Sequence, residues 1–193
     1  MKESLKIAIS SLIKLSDLEL EYLLSFFHHQ ILKNNDYLLK VEDRCNKISF
    51  VKSGMLRKST INDKGEEVIC CFLIPNQFVT SFSSFLSQNP TNDNIQSISE
   101  TEVFFISKQD LERINILYPS TQDFGRKVAE NLAILMENRI SDLIDNTSEE
   151  RYLFIIKNNP DLLKSISNQQ LASYLGITPQ HLSRIIKKVI NTN

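Results

Sequence analysis

Ser167-Asn168-Gln169-Gln170-Leu171-Ala172-Ser173-Tyr174-Leu175-Gly176-Ile177-Thr178-Pro179-Gln180-His181-Leu182-Ser183-Arg184-Ile185-Ile186-Lys187-Lys188 reads as two short helices meeting at a tight corner. Ser167 stands where a helix N-cap belongs, and Gln170 three residues on completes a capping box. Leu171, Ala172 and Leu175 give an apolar stripe at helical spacing. Gly176 follows, the residue best suited to the left-handed conformation that ends a helix. Thr178 offers a second N-cap, and Pro179 falls at the first helical position, where its missing N–H is no loss. Leu182, Ile185, Ile186 and Val189 then recur as i, i+3, i+4 and i+7.

Helices this short do not persist alone, so their apolar faces must pack on each other and on a third element. Ala172 supplies the small side chain that a close crossing needs. The outward face of the second helix carries Gln180, Arg184 and Lys188 at spacings of four, with Ser183 and Lys187 beside them. Gln and Arg pair bidentately with adenine and guanine edges in the major groove, and Lys serves as a phosphate contact. From residue 162 onward there are four Lys or Arg and no acid, against 18 basic and 23 acidic groups upstream in a chain of net charge −1. Such a basic tail suits a polyanion. An ordinary helical hairpin with a solvated polar face is the bland alternative. The ordered set of cap, alanine, glycine, cap-proline and two apolar faces is more specific, and predicts a helix-turn-helix.

The 193 residues allow one or two domains, and 41% hydrophobic content is enough for packed cores. No run of about 18 apolar residues occurs. Met1-Lys2-Glu3-Ser4 opens no signal peptide, so a cytoplasmic location without membrane contact is expected. Cys45, Cys70 and Cys71 form no CxxC pair and are expected to be unpaired thiols. Adjacent Cys70 and Cys71 point to opposite faces if they lie on a strand, and nothing near them argues for a redox role.

Residues 3–34 read as helical. Ser16-Asp17-Leu18-Glu19 is a capping box, and Leu20, Leu23, Leu24 and Phe27 form its apolar stripe. His28 and His29 close that helix, where imidazolium suits the negative dipole end. They lack partners for a metal, since the one other histidine is His181, so neither metal nor cofactor is expected. From Tyr37 the texture changes to short strands, at 37–41, 48–52, 55–61, 67–74, 95–99 and 103–107. Ser53-Gly54 and Asn62-Asp63-Lys64-Gly65 are the tight turns. Strands this short and evenly spaced predict an antiparallel β-roll or jelly roll rather than a parallel sheet. Phe72, Phe78, Phe82, Phe85, Phe104 and Phe105 are available to fill its interior. Residues 78–94 read as a short amphipathic turn of helix and a polar loop.

Ser107 caps a helix running to about Tyr118, where Pro119 interrupts it. A longer helix follows over 120–145, with Phe124, Val128, Leu132, Leu135, Met136, Ile140, Leu143 and Ile144 sharing one seam. Such a seam packs on its own domain or on a copy of itself. Helix-turn-helix proteins read two half-sites about 34 Å apart, which requires two-fold symmetry and favours self-pairing into a homodimer. Residues 146–150 are the hinge and cap for a helix through Lys157, and Asn158-Asn159-Pro160 breaks it. The expected fold class is α+β in three parts: residues 1–118 a β-roll with N-terminal helices, 119–146 the long dimerisation helix, and 147–193 the DNA-binding unit.

This order, over nearly the full chain, resembles the Crp/Fnr superfamily of bacterial transcription regulators. The strongest match runs from Leu171 to Ile185. The roll matches more loosely, through Ile48-Ser49-Phe50-Val51-Lys52-Ser53-Gly54-Met55-Leu56-Arg57 and Asp63-Lys64-Gly65-Glu66-Glu67. The resemblance implies a cyclic-nucleotide-type roll that senses a signal, a central helix that dimerises, and a palindromic promoter site. It implies Gln180, Ser183 and Arg184 as base-reading positions, with Thr178, His181 and Lys188 nearer the phosphates. Lys187 joins this set from the helix face. The expected seam residues are Phe124, Val128, Leu132, Leu135, Met136, Ile140 and Leu143. A candidate effector pocket comprises Phe78, Thr80, Ser81, Phe82, Asn94 and Gln96. Double-stranded DNA, a second copy of the chain and RNA polymerase are the expected partners.

The chain departs from the family pattern in three places. Pro179 stands where nucleotide-dependent members carry an arginine, so a different base preference is expected. Those members also use a Phe-Gly-Glu cassette and a downstream arginine, where this chain has Phe78-Val79-Thr80-Ser81 and Asn94-Ile95-Gln96. A buried phosphate without a cation or a glycine amide nest is poorly compensated, so cyclic AMP is not the expected effector. The sequence runs out at Asn193, after the second helix, so little or no wing is expected and the salt slope of binding should be shallow. Two other readings compete with regulation. In one, the terminal helices contact a protein partner rather than DNA. In the other, the roll is a metal enzyme, which the lack of histidine between residues 30 and 180 argues against.

Overall fold

Two four-stranded antiparallel sheets face each other in the computed structural model, which describes residues 2–192. One has the order β1 (His28–Leu32), β8 (Thr101–Ser107), β3 (Lys47–Ser53), β6 (Phe78–Val79). The other runs β2 (Tyr37–Leu39), β7 (Asp93–Ser97), β4 (Leu56–Ile61), β5 (Glu67–Leu73). Across the β3–β8 ladder Phe50 lies opposite Phe104 and Ile48 opposite Ile106, and all four are fully buried. Helices α1 (Glu3–Leu12) and α2 (Asp17–Ser25) cover this core with Leu5, Ile9, Leu20 and Leu23. The expected box at Ser16 and Glu19 caps α2.

Two turns show why glycine is required where it stands. Gly54, between β3 and β4, has φ +80°, and a Cβ there would meet the Glu100 carbonyl oxygen at 2.3 Å. Gly65 has φ +77° with nothing within 4 Å, in a turn whose Lys64 and Glu66 amides donate to the Asn62 side chain.

Beyond the roll, Ser107 caps α4 (Lys108–Leu117), accepting from the Asp110 amide at 3.0 Å. A 3-10 turn at Pro119–Thr121 then leads into the long helix α5 (Gln122–Asp145). Its apolar seam divides. Phe124 and Val128 are wholly buried in their own roll, where the Phe124 ring lies 5.4 Å from Phe78 and 6.0 Å from Phe27. These two therefore offer no surface to a second chain, which corrects the seam read from spacing alone. Leu132 also packs on the roll. Further along the seam opens to water, with Leu135 40%, Ile140 56%, Leu143 41% and Ile144 76% exposed. Helices α6 (Ser148–Asn158), α7 (Pro160–Ser165), α8 (Asn168–Leu175) and α9 (Pro179–Thr192) complete the chain.

Other expectations are also corrected. Residues 28–32 are a strand, because β8 needs main-chain partners on both sides and finds them in β1 and β3. His28 and His29 consequently close no helix. They face Asp110 at 3.6 Å and Glu102 at 2.9 Å, while the carbonyls of Leu24 in α2 and of Phe27 just beyond it accept from the Lys2 ammonium. The strand expected at 95–99 sits two residues earlier, and β6 and α7 went unseen because two- and six-residue elements carry no period. Cys70 is the extra residue of a bulge, since Lys58 pairs with Cys71 and Ser59 with Ile69. Simple alternation therefore fails at that pair. Among the six phenylalanines, Phe85 and Phe104 fill the interior as expected, but Phe72 instead packs on the C-terminal helices.

Substituting the two turn glycines separates backbone strain from collision. Gly54→Ala is expected to cost about 2–4 kcal/mol, and Gly65→Ala about 1 kcal/mol, in urea denaturation.

Candidate nucleic-acid interface

The corner between α8 and α9 is built as its residues dictate. Ser167 and Gln170 form the complete capping box of α8. Gly176 takes φ +69°, turning the chain, and the Thr178 hydroxyl accepts from the His181 amide at 3.2 Å to cap α9. Leu171, Ala172, Leu175, Leu182 and Ile185 are buried together with Tyr152, Ile155 and Leu162 of α6 and α7. Each fully buried Leu or Ile contributes about 1.5–3 kcal/mol. Ala172 is wholly buried, so a larger side chain would force the two helices apart.

With one face so occupied, α9 leaves the other in water. Thr178, Gln180, His181, Ser183, Arg184, Lys187 and Lys188 are all exposed. Gln180, Arg184 and Lys188 follow at one-turn spacing, a row that fits base edges with phosphates at its far end. Besides the capping Thr178, two of these side chains are engaged in the free chain. The Ser183 hydroxyl donates to the Pro179 carbonyl at 2.9 Å, and the Lys188 ammonium pairs with Glu149 of α6 at 2.6 Å. A phosphate would have to compete with that carboxylate, an exchange that costs little at the surface.

The six candidate effector residues do not gather in one pocket. Thr80 and Phe82 line a groove of about 1130 Å³ between β5, β6, α5 and the C-terminal helices. Phe78 is packed between Phe50 at 5.1 Å and Phe124 at 5.4 Å. Ser81 is buried, sharing a hydrogen bond with the Thr91 hydroxyl at 2.8 Å and donating to Asp93 at 2.6 Å. Asn94 accepts from the Val41 amide, while Gln96 accepts from Arg57 and donates to the Asn35 carbonyl. The roll spends these groups on its own strands. On the groove wall stands Lys58, unmarked by any sequence motif and neutralised by Asp93 at 2.9 Å. Neither Arg139 nor Arg151 carries a sequence signal that marks it out, yet Arg139 has only 12% of its side chain exposed and Arg151 is buried.

Residues 29–115 match the family model described as a cyclic nucleotide-binding domain. The transcriptional activator protein Anr of Pseudomonas protegens is 22% identical over 169 residues, covering 81% of this chain and 68% of its own length. The transcriptional activator protein FnrA of Stutzerimonas stutzeri is 23% identical with the same coverage. Among solved structures, FixK2 of Bradyrhizobium japonicum superposes with a TM-score of 0.71 at 15% identity, over 86% of this chain and 85% of that one. The c-di-GMP-responsive global regulator CLP of Xanthomonas campestris gives 0.72 at 17% identity, over 92% and 93%. No described helix is long and apolar enough to cross a membrane.

The three cysteines lie apart from the α8–α9 face and are unpaired. Burial pushes the Cys70 thiol up and carries Cys71 to about 11, so both stay protonated and weakly nucleophilic at neutral pH. The Cys71 thiol holds its proton more tightly in the folded state than in the unfolded chain, so stability is lost as pH rises from 9 towards 11. Alkylation of Cys71, followed by peptide mapping, is expected to be slow at pH 7.5 and still accelerating above pH 9.

Proposed function

We propose that the chain is a dimeric, sequence-specific DNA-binding regulator of transcription of the Crp/Fnr type rather than an enzyme, a reading supported by the match to a cyclic nucleotide-binding domain, the likeness to the activators Anr and FnrA, and the fold shared with FixK2 and CLP. The observation that carries this is α9, a helix held by its apolar face on Ala172 and Leu175 whose exposed residues from Gln180 to Lys188 are all polar or basic, with no acid among them. In this reading Gln180 and Arg184 meet adenine and guanine edges in the major groove. Lys187 and Lys188 meet phosphates, and Thr178, His181 and Ser183 border them. The open part of the α5 seam supports the two-fold symmetry. Ile140, Leu143 and Ile144 stand on it in water and are covered when two copies pair, with Leu135 and Met136 alongside. The natural partition is then a sensing part over 1–118, a joining helix over 119–146 and a reading unit over 147–193, the last two recruited to a palindromic site.

Cyclic AMP is a poor fit to the roll. Ser81 stands where a glutamate would hold the ribose and is bonded within the roll, and the Lys58 cation is already paired with Asp93. A small-molecule effector of another kind, or none, is consistent with the groove, and contact with RNA polymerase would follow from promoter occupancy.

Selection of bound duplexes from a random pool, at two salt concentrations, tests the proposal. A palindromic sequence is expected, and Arg184→Ala should weaken binding to it by about 1–3 kcal/mol while relaxing one base position in each half. Binding without sequence preference, or capture of protein unaffected by competitor DNA, would count against it.

A further inference from the structure

Three parts of the chain meet at the C-terminal end of α8. The Tyr174 ring lies 5.2 Å from Phe72 on β5 and 4.1 Å from the Arg139 guanidinium on α5. Arg139 also donates to the Tyr174 carbonyl oxygen and pairs with Asp142 at 3.2 Å. On the next carbonyl, that of Leu175, Arg151 of α6 donates at 2.8 Å. The same guanidinium donates to the Asn146 carbonyl in the hinge and reaches the Asp142 and Leu143 carbonyls at 3.4 Å. Leu143 itself packs toward Gly176 at the corner, 3.7 Å from where a Cβ would stand.

Two cations from two different helices thus occupy successive carbonyls at the negative end of α8. Because α9 is fixed to α8 through Ala172, Leu182 and Ile185, whatever orients α8 against α5 also orients the reading helix. We infer that Arg139 and Arg151 are positioning residues that set the angle of α9 to the α5 axis, and with it the half-site spacing that the dimer accepts. The inference rests on the DNA-reading function proposed above.

The choice of arginine supports a geometric role. A planar fork holds two acceptors and stacks on a ring at once, which a lysine ammonium cannot do. Both guanidiniums keep a buried Nε–H with no acceptor among the described residues. An unmet buried donor costs stability, and well-packed apolar side chains often serve a joint of this kind better. These arginines therefore do something other than glue. In a two-fold dimer each added base pair shifts the second half-site by about 3.4 Å and rotates it about the duplex, which a stiff joint cannot follow.

The test uses the full chain and a set of duplexes carrying the selected half-sites at the best spacing and at one and two base pairs either side, together with a single half-site duplex. Wild type is expected to lose about tenfold in affinity for the first base pair of misplacement, whereas Arg139→Lys and Arg151→Met should lose less than about threefold. Half-site affinity should stay within about twofold of wild type and the melting transitions should persist, which separates a lost angle from a lost fold. Should Arg151→Met fail to fold, the profile of Arg139→Lys decides. Variants that keep the wild-type spacing profile overturn this inference alone. A wild-type chain that binds no duplex overturns the DNA-reading function and this inference with it.

Discussion

Helix α5 carries more apolar length than its own roll can cover. Its first turns are sealed, with Phe124 and Val128 wholly buried among Phe27 and Phe78. The roll then ends and the stripe does not, so Ile140, Leu143 and Ile144 remain in water. Burying side chains of this size returns about 1.5–3 kcal/mol each, and a contiguous exposed row is the kind of surface that recruits a partner. A second α5 presents the same stripe, and closing on it costs no new surface elsewhere. The rigid attachment of the first half and the open second half make this helix both an anchor and a joint.

The joint is polar where it meets the C-terminal helices. Arg139, Arg151 and Tyr174 connect α5, α6 and α8 through carbonyl oxygens and a stacked ring, while Ser173 accepts from the Ile69 amide on the edge strand β5 at 3.0 Å. That last bond caps an edge that would otherwise present free main-chain groups. The roll, the long helix and the C-terminal helices therefore touch at one place, and the β4–β5 ladder beside it carries the bulge at Cys70. Movement in the roll has a short path of packed contacts to α8.

The sequence made the α8–α9 corner legible almost to the residue, because caps, glycine and proline each act through local backbone chemistry that needs no tertiary knowledge. Ser167, Gly176 and Pro179 fall where they were expected. The strands of the roll were legible as a class but not always in register, since a two-residue strand such as β6 and a bulge at Cys70 are decided by neighbours far along the chain. His28 and His29 misled for the same reason: helix-friendly local signals yielded to the demand of β8 for a second partner. The periodic seam of α5 read correctly as apolar, yet period alone could not say which turns face the chain's own roll. The effector set failed most fully. Ser81, Asn94 and Gln96 look like ligand groups in a list, and only their partners reveal that the roll uses them itself.

The proposed regulator requires two copies that meet along the open half of α5 and address one duplex together. The mass of the complex formed with a selected palindromic duplex, measured by sedimentation equilibrium, tests this most directly. Two chains per duplex, falling to one or none when Ile140 and Ile144 are replaced by glutamate, is the predicted result. One chain per duplex for the unaltered protein, unchanged by those substitutions, would contradict it.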